Sequence, residues 1–375
     1  MRAIPSILSE TLLMAPFECP NCARLNHFEV RVCPACAFTL GYDPASDRFL
    51  FLADGATVWR DGHGEPHDVA VCANNDDYAI CNWLVSTHDD TPLCRACRHN
   101  RVIPDLTVAT VPERWGRIEE AKRRMFHTLI RLGLPLDTKA DESRTGVQGL
   151  AFDFLYDPGA EMAGQPQVLT GHDGGVITLN LIEADDVQRE RMRREMGEPY
   201  RTILGHFRHE VGHHYWSRLI ENDAQELARC RAVFGDDTID YAEALARHYA
   251  GNGVAWTMDY VSVYATSHPW EDFAETFAHY LHMVDTLATI GGFGLTMAPF
   301  PGPESHPAAV VGFDAYTATT DQLTSEMVPF SFALNTINRS MGQRDLYPFH
   351  LSPAITAKID YVNRLVAKAA GRASS

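Results

Sequence analysis

The chain has 375 residues, 45% of them hydrophobic and 10% aromatic, which suits a globular protein with one large core and room for two or three domains. Its formal net charge of −17 argues against a nucleic-acid binder as a whole. The sequence contains no run of about eighteen apolar residues, so we expect no membrane-spanning helix. Glu10 interrupts the mildly apolar N-terminus and no small-residue cleavage site stands out, so we expect a cytoplasmic protein.

Two closely spaced cysteine pairs stand near the start of the chain. Cys19 and Cys22 form one Cys-x-x-Cys knuckle, and Cys33 and Cys36 form a second. Four thiolates from two such knuckles fill the tetrahedral shell of one zinc ion and leave no position for a substrate. We therefore predict a structural zinc ribbon over residues 1–48.

Residues 49–106 carry four more cysteines. Cys94 and Cys97 form a knuckle, whereas Cys72 and Cys81 are spaced more widely. This set predicts a second Cys₄ zinc module, in keeping with a reducing compartment where disulfides are rare. Two interpretations stay open for the paired modules: a surface that binds a partner or a substrate, or the stiffening of a region too small to hold its own core.

The segment 107–290 begins with a helix pattern and continues with strand patterns. Apolar residues recur at helical spacing over residues 115–134, against a charged opposite face. Residues 150–156 and 176–182 are typical of strands and predict a small mixed sheet. We expect the later strand to border a cleft, where an extended peptide could pair with it.

One stretch contains His-Glu-x-x-His, the helical zinc motif of metallopeptidases. On a helix His209 and His213 lie one turn apart on the same face, where two imidazoles can bind one Zn²⁺. Glu210 then lies beside the metal and can take a proton from its bound water. Gly212 predicts the close approach of another backbone at the metal. We expect His206, one turn before the motif, to be a core histidine rather than part of the site.

A third protein ligand has to come from another part of the chain. The residues after the motif lack the glycine and third histidine of metzincins, which leaves a glutamate on a second helix, as in His₂Glu sites. Residues 268–282 predict that helix, and its ionisable face comprises Glu271, Glu275, His279 and His282. We predict Glu275 as the ligand because its small neighbours leave room for a metal, with Glu271 as the alternative. The simpler interpretation of this face is a solvated acidic surface.

The last segment, residues 291–375, opens with a stretch rich in Gly and Pro and ends in helices. It predicts a C-terminal helical subdomain.

Taken as a whole, the chain resembles a bacterial family of zinc-binding metallopeptidases, in which an N-terminal zinc-ribbon region precedes a gluzincin-like catalytic domain. The resemblance spans nearly the whole chain, and it rests on the cysteine pairs and on the stretches His206 to Trp216, His268 to His282 and Tyr347 to Phe349. It implies an α+β, zincin-like fold, with a mainly helical catalytic domain that contains a small mixed sheet and follows small zinc-ribbon modules. It also implies a metallopeptidase in which His209, Glu210, His213 and Glu275 occupy the family's site positions.

The expected function is hydrolysis of a peptide or protein substrate by a zinc-activated water, with one catalytic and two structural zinc ions. Glu210 is the expected general base. Tyr280 and His279 are predicted to stabilise the oxyanion, with Tyr264 and His268 as alternatives that the sequence does not rank. Two other functions stay open: a non-catalytic zinc-ribbon protein that binds protein or nucleic acid, and a hydrolase of non-peptide amides.

Overall fold

The computed structural model describes residues 17–163, 170–195, 200–298 and 308–372. The helices are α1 (Ala73–Asp76), α2 (Val111–Leu132), α3 (Lys139–Thr145), α4 (Pro158–Ala163), α5 (Asp186–Glu195), α6 (Ile203–Leu219), α7 (Ala224–Phe234), α8 (Tyr241–Tyr249), α9 (Pro269–Gly292), α10 (Thr320–Ser340) and α11 (Pro353–Ala369). The strands are β1 (Phe17–Glu18), β2 (Leu25–Asn26), β3 (Thr39–Asp43), β4 (Arg48–Leu52), β5 (Trp59–Arg60), β6 (Pro66–His67), β7 (Val69–Val71), β8 (Leu84–Ser86), β9 (Asn100–Val102), β10 (Ala151–Leu155), β11 (Gly171–Asp173), β12 (Val176–Asn180), β13 (Thr296–Met297) and β14 (Ala309–Val310). Mixed helices and small sheets, preceded by cysteine clusters, confirm the α+β part of the predicted fold class.

The N-terminal modules are short antiparallel strands around a compact aromatic core. Strands β3, β4, β5 and β6 form one sheet in that order, while β1 pairs with β2 and β7 with β8. Trp83 is fully buried, and its ring centroid lies 4.9 Å from that of Tyr42. Because each sheet is too small to enclose a core alone, aromatic packing of this kind joins the modules.

The central sheet has the order β11-β12-β10-β9. Strands β9, β10 and β12 run parallel, and β11 closes one side antiparallel to β12. Residues 176–181 were expected to pair with an extended peptide, but β12 has a neighbouring strand on each side, and β11 forms the edge next to it. At the other side, β9 follows the last cysteine knuckle directly, so the second module supplies a strand of this sheet.

Helix α2 packs beside the sheet and against α6. It begins at Val111, earlier than the predicted residue 115, because Pro112 occupies its first turn, where a proline is favoured. Gly133 ends it in the left-handed conformation at φ 74°, as its position in the sequence predicts.

Helices α6 and α9 form the most extensive helix pair of the described structure. The hydroxyl of Thr202 caps α6 by accepting from the Gly205 amide at 2.9 Å. His268 caps α9 in the same manner, with Pro269 at the first helical position. A Cβ atom at Gly212 would lie only 3.0 Å from the Ala274 Cα atom. The glycine thus allows the two backbones to approach, as the sequence predicts.

The C-terminal helices α10 and α11 pack against α9. A buried ion pair fixes this contact, with Lys358 Nζ on α11 at 2.6 Å from the carboxylate of Asp272. One hydrophobic cluster runs from Cys19 through α2, α6 and α9 to Val366 on α11. No helix within the described ranges combines the length and apolar character that a membrane crossing requires.

The turn between β3 and β4 anchors the N-terminal modules on α2. Asp47 has a left-handed backbone at φ 54° and accepts hydrogen bonds from the Tyr42 hydroxyl at 2.7 Å and from His127 Nε2 at 2.9 Å. Arg131 adds an ion pair. Burial raises the pKa of Asp47, but the hydrogen bond and charge of His127, together with Arg131, outweigh it and lower the pKa to about 2.

We predict that Asp47→Asn lowers the free energy of unfolding at pH 7 by roughly 2 kcal/mol, because each pKa unit corresponds to about 1.4 kcal/mol. The folded-state pKa is below the unfolded value, so this contribution is fully present above the unfolded pKa and is complete at pH 7. Asparagine tolerates the left-handed backbone, so the turn itself is retained. Urea denaturation with zinc present measures the difference, and the exposed Asp54→Asn is the matched control. Equal stability of both variants would contradict the anchor.

Candidate metal centre

The first four cysteines form one cluster. Two sulfur pairs are close, with Cys19 Sγ at 3.6 Å from Cys36 Sγ and Cys22 Sγ at 3.7 Å from Cys33 Sγ. All four ligand atoms lie within 4.8 Å of one another. Sulfurs bound tetrahedrally at about 2.3 Å from a zinc ion would lie about 3.8 Å apart, so the cluster has the dimensions of a zinc–thiolate site.

The second cluster joins Cys94 and Cys97 with the more widely spaced Cys72 and Cys81. Cys81 Sγ lies 3.8 Å from both Cys94 Sγ and Cys97 Sγ, and all four residues are buried. Backbone amides of the knuckle point at the sulfurs, with the Cys97 amide at 3.4 Å from Cys94 Sγ. These amides stabilise thiolate charge, which supports zinc at this position.

Helix α2 supplies the positive charge beside the second cluster. Arg123 is almost fully buried there. Burial lowers its pKa, but the nearby charges of Cys81, Cys97 and Glu119 outweigh this and raise it. A tetrathiolate zinc site carries a net negative charge, so a buried guanidinium beside it reduces the cost of burial.

A third cluster combines α6 with α9. His213 Nε2 lies 3.1 Å from His209 Nε2. The Glu271 Oε2 atom lies 3.0 Å from His209 Nε2 and 3.3 Å from His213 Nε2. The three side chains are at most 10% exposed. Two imidazole nitrogens and one carboxylate oxygen converging at these distances match the His₂Glu ligand set of a zinc site that keeps further positions open.

Glu275, the predicted third ligand, lies at the opposite nitrogen of His209. Its Oε1 atom accepts from His209 Nδ1 at 2.7 Å, and its Oε2 atom accepts from the Ser262 hydroxyl at 2.6 Å. The proton on Nδ1 leaves Nε2 of His209 with its lone pair directed at the cluster. The arrangement thus favours Glu271, the alternative, as ligand and gives Glu275 the role of orienting His209.

Two buried oxygens in the centre lack a hydrogen-bond partner among the described residues, Oε2 of Glu210 and Oε2 of Glu271. Unpaired buried carboxylate oxygens are costly, and such groups are ordinarily satisfied by a partner, an ion or water. The Oε1 atom of Glu271 is satisfied, because the Tyr241 hydroxyl donates to it at 2.6 Å. A zinc ion with a water beside Glu210 would satisfy both remaining oxygens, so the residues present fit this metal.

Glu210 is held at its other oxygen by His206. His206 Nε2 lies 3.1 Å from Glu210 Oε1, and His206 Nδ1 lies 2.5 Å from Glu183 Oε2. Burial raises the pKa of Glu210, but the hydrogen bond and charge of His206 lower it to about 2. Burial lowers the pKa of His206, but Glu183 and Glu210 raise it to about 9. The expectation that His206 is a simple core histidine is wrong, although its spacing four residues before Glu210 was a visible signal.

The four oxyanion candidates have different positions. The hydroxyl of Tyr280 is occupied, because it donates to Asn363 on α11 at 3.1 Å. His279 stands two turns beyond Glu271 with Nδ1 at 3.1 Å from the Tyr347 hydroxyl, and His268 is occupied as the cap of α9. The ring centroid of Tyr264 lies 5.8 Å from that of His209. The structure therefore brings Tyr264, and not Tyr280, to the metal centre.

Further residues of the centre carried no local signal in the sequence. His172 on β11 has its ring centroid 6.3 Å from that of His213, and the Trp270 ring lies 3.8 Å from the same imidazole. Tyr241 reaches Glu271 from α8, thirty positions away in the chain. Such partners meet only through tertiary packing, so the order of residues does not reveal them.

Comparison with known proteins agrees with these clusters. The model of the family described as "Putative zinc-binding metallo-peptidase" matches residues 111–365, which contain α6 and α9. The chain belongs to this zinc-binding metallo-peptidase family. A zinc-ribbon domain model matches residues 16–108, the part that carries both cysteine clusters. The predicted family is thereby confirmed, and the two family descriptions together with the two Cys₄ clusters support zinc binding.

Relatives of this metallo-peptidase family member occur in mycobacteria. The chain is 41% identical over 354 residues to the "Uncharacterized protein Rv2568c" of Mycobacterium tuberculosis and to the "Uncharacterized protein Mb2598c" of Mycobacterium bovis. Each match covers 94% of this chain and 95% of the relative. No solved structure matches the chain significantly.

We predict that Glu271→Gln abolishes stoichiometric binding of the exchangeable zinc between α6 and α9. Glu275→Gln is expected to weaken zinc affinity by about 10–100-fold, the usual effect of losing a partner that orients a ligand. Competition with a chromophoric chelator measures both affinities, and the thiolate sites serve as the internal reference. Each variant controls for the other, because both remove one buried carboxylate from the same helix face. A larger loss in Glu275→Gln would restore Glu275 as the ligand.

Proposed function

We propose that the protein is a zinc-dependent peptidase with a zincin-like catalytic domain of the His₂Glu type. The observation that carries the proposal is the convergence of His209 Nε2, His213 Nε2 and Glu271 Oε2 within 3.3 Å, beside the unpartnered Oε2 of Glu210. Three protein ligands with an adjacent carboxylate are typical of catalytic rather than structural zinc. The two thiolate clusters would hold structural zinc, for three ions in all.

When bound, zinc would supply Lewis acidity to the substrate carbonyl and acidify a water molecule. Glu210 would accept the proton of this water on Oε2 and later pass it to the leaving amine. Its low pKa keeps this carboxylate ionised at neutral pH, and therefore ready to accept. Glu275 would keep His209 in the tautomer that offers Nε2, and Tyr241 would fix the rotamer of Glu271.

A peptide substrate is favoured by the strand that borders the centre. β11 is one of the two edges of the central sheet within the described residues, and its residues contact α6. An extended chain can pair with such an edge through backbone hydrogen bonds, independent of its side chains. His172 on β11 faces His213, so a peptide aligned there would run past the metal centre. A protein substrate and a cytoplasmic location remain predictions.

We predict that Glu210→Gln retains three zinc ions but lowers kcat by about 10²–10⁴-fold, since this is the usual contribution of a positioned general base. Zinc content by atomic emission and cleavage of a mixed peptide library by mass spectrometry measure the two effects. The exposed Glu221→Gln, just beyond α6, is the matched control. Full activity in Glu210→Gln would refute the assigned role, and cleavage of non-peptide amides only would change the substrate class.

We predict that Tyr264→Phe lowers kcat by about 10²–10³-fold with zinc retained, the effect of losing one oxyanion donor. Tyr280→Phe is expected to keep kcat and to lose stability, because its hydroxyl bonds Asn363 in the core. Steady-state kinetics and thermal denaturation separate the two outcomes. The reverse pattern would return the oxyanion role to Tyr280.

A further inference from the structure

His206 connects the general base of the proposed peptidase to the central sheet. Its imidazole lies between two carboxylates, with Nε2 at 3.1 Å from Glu210 Oε1 and Nδ1 at 2.5 Å from Glu183 Oε2. The side chain is 18% exposed, and the two carboxylates are 6% and 7% exposed. This chain of three groups lies outside the ligand set His209, His213 and Glu271.

The donor and acceptor capacity of each side chain determines which atoms of His206 donate hydrogen bonds. An ionised carboxylate only accepts hydrogen bonds, whereas a neutral imidazole has one donor and one acceptor nitrogen. Since both nitrogens of His206 face carboxylate oxygens, both have to carry a proton for the two contacts to be hydrogen bonds. The geometry therefore selects the imidazolium form between Glu183 and Glu210.

Glu183 is itself fixed by its surroundings. It lies in the short 3-10 turn Leu181–Ala184 that directly follows β12, and the whole residue is buried. The Thr170 hydroxyl donates to its second oxygen, and an Arg189 nitrogen donates to its backbone carbonyl at 2.7 Å. Glu183, which binds His206, is thus held by Thr170 just before β11 and by Arg189 on α5.

The consequence for Glu210 is a fixed orientation. Its Oε1 atom is bound to His206, and its Oε2 atom is buried without a partner among the described residues. A glutamate side chain has three rotatable bonds, so an unrestrained carboxylate would distribute its oxygens over several orientations. With Oε1 bound, Oε2 is the oxygen that remains free to meet a water at the metal centre.

We propose that His206 is a positioning residue that holds Glu210 with Oε2 directed at the attacking water, and that Glu183 keeps His206 doubly protonated for this task. The inference rests on the proposed peptidase function, because it assigns Glu210 the role of base. His206 is not a member of the ligand set, and its ring centroid lies 6.5 Å from that of His209, so its hydrogen bond to Glu210 is the contact through which it acts.

The first test is a double-mutant cycle on the zinc-loaded full chain. His206→Gln and Glu183→Gln are each expected to lower kcat by about 10–100-fold, the range for groups that orient a functional residue, with KM and zinc content unchanged. Because His206 acts through Glu210, the double variant His206→Gln/Glu210→Gln should be no slower than Glu210→Gln alone. Multiplicative losses, or an unchanged kcat in His206→Gln, would overturn the inference.

The matched control is His127→Gln. It breaks another buried histidine–carboxylate pair, in which His127 Nε2 on α2 lies 2.9 Å from Asp47, where the N-terminal modules contact this helix. We expect this variant to lose stability while kcat is retained. A loss of kcat equal to that of His206→Gln would show a general effect of stability and would contradict the positioning role.

The second test does not depend on activity. Side-chain ¹⁵N spectra should show both nitrogens of His206 protonated at pH 7, and one of them deprotonated in Glu183→Gln. A neutral His206 in the unmodified chain would overturn the inference. A chain that hydrolyses no peptide but shows the doubly protonated His206 would refute the proposed function while it supports the hydrogen-bonded arrangement.

Discussion

The close approach of α6 and α9 is the constraint on which the candidate centre depends. At Gly212 a side chain is missing, and the backbone of α9 at Ala274 occupies the space at a distance that a Cβ atom would not permit without adjustment. Because of this contact, a carboxylate one turn away on α9 reaches the two imidazoles of α6. Without this contact, no carboxylate of α9 would reach the two histidines of α6 as a third ligand.

Buried ionisable and polar residues surround the three ligand atoms as an inner and an outer set. Each inner residue is fixed by an outer one: His209 by Glu275, Glu271 by Tyr241, and Glu210 by His206. Ionised groups in a low-dielectric interior are tolerable only when such partners are present. The same partners determine tautomers and rotamers, so the stabilisation of the buried groups and the orientation of the reactive atoms have one physical cause.

The N-terminal modules are structurally continuous with the metallopeptidase region. The strand β9, which follows the second cysteine cluster, belongs to the central sheet. Helix α2 places Arg123 beside the thiolates of that cluster. On the same helix, His127 and Arg131 bind Asp47 of the first module. Small modules that cannot bury enough apolar surface alone gain stability from such contacts. Contacts with the larger domain therefore support the modules, in addition to any zinc that the two cysteine clusters would bind.

Sequence alone determined the features that depend on local spacing. The cysteine knuckles, the two histidines one turn apart, the glycine at the helix contact and the start of α9 all follow from short-range geometry. Tertiary structure decided between residues that their spacing in the sequence does not distinguish. Glu271 and Glu275 share one helix face about 6 Å apart along the axis, so only the height at which α9 meets α6 selects the one that faces the Nε2 atoms. The packing of distant segments likewise decided that β11 is an edge strand, that Tyr264 lies beside His209 and that Glu183 pairs with His206. A contact between residues far apart in the chain leaves no periodicity in the sequence.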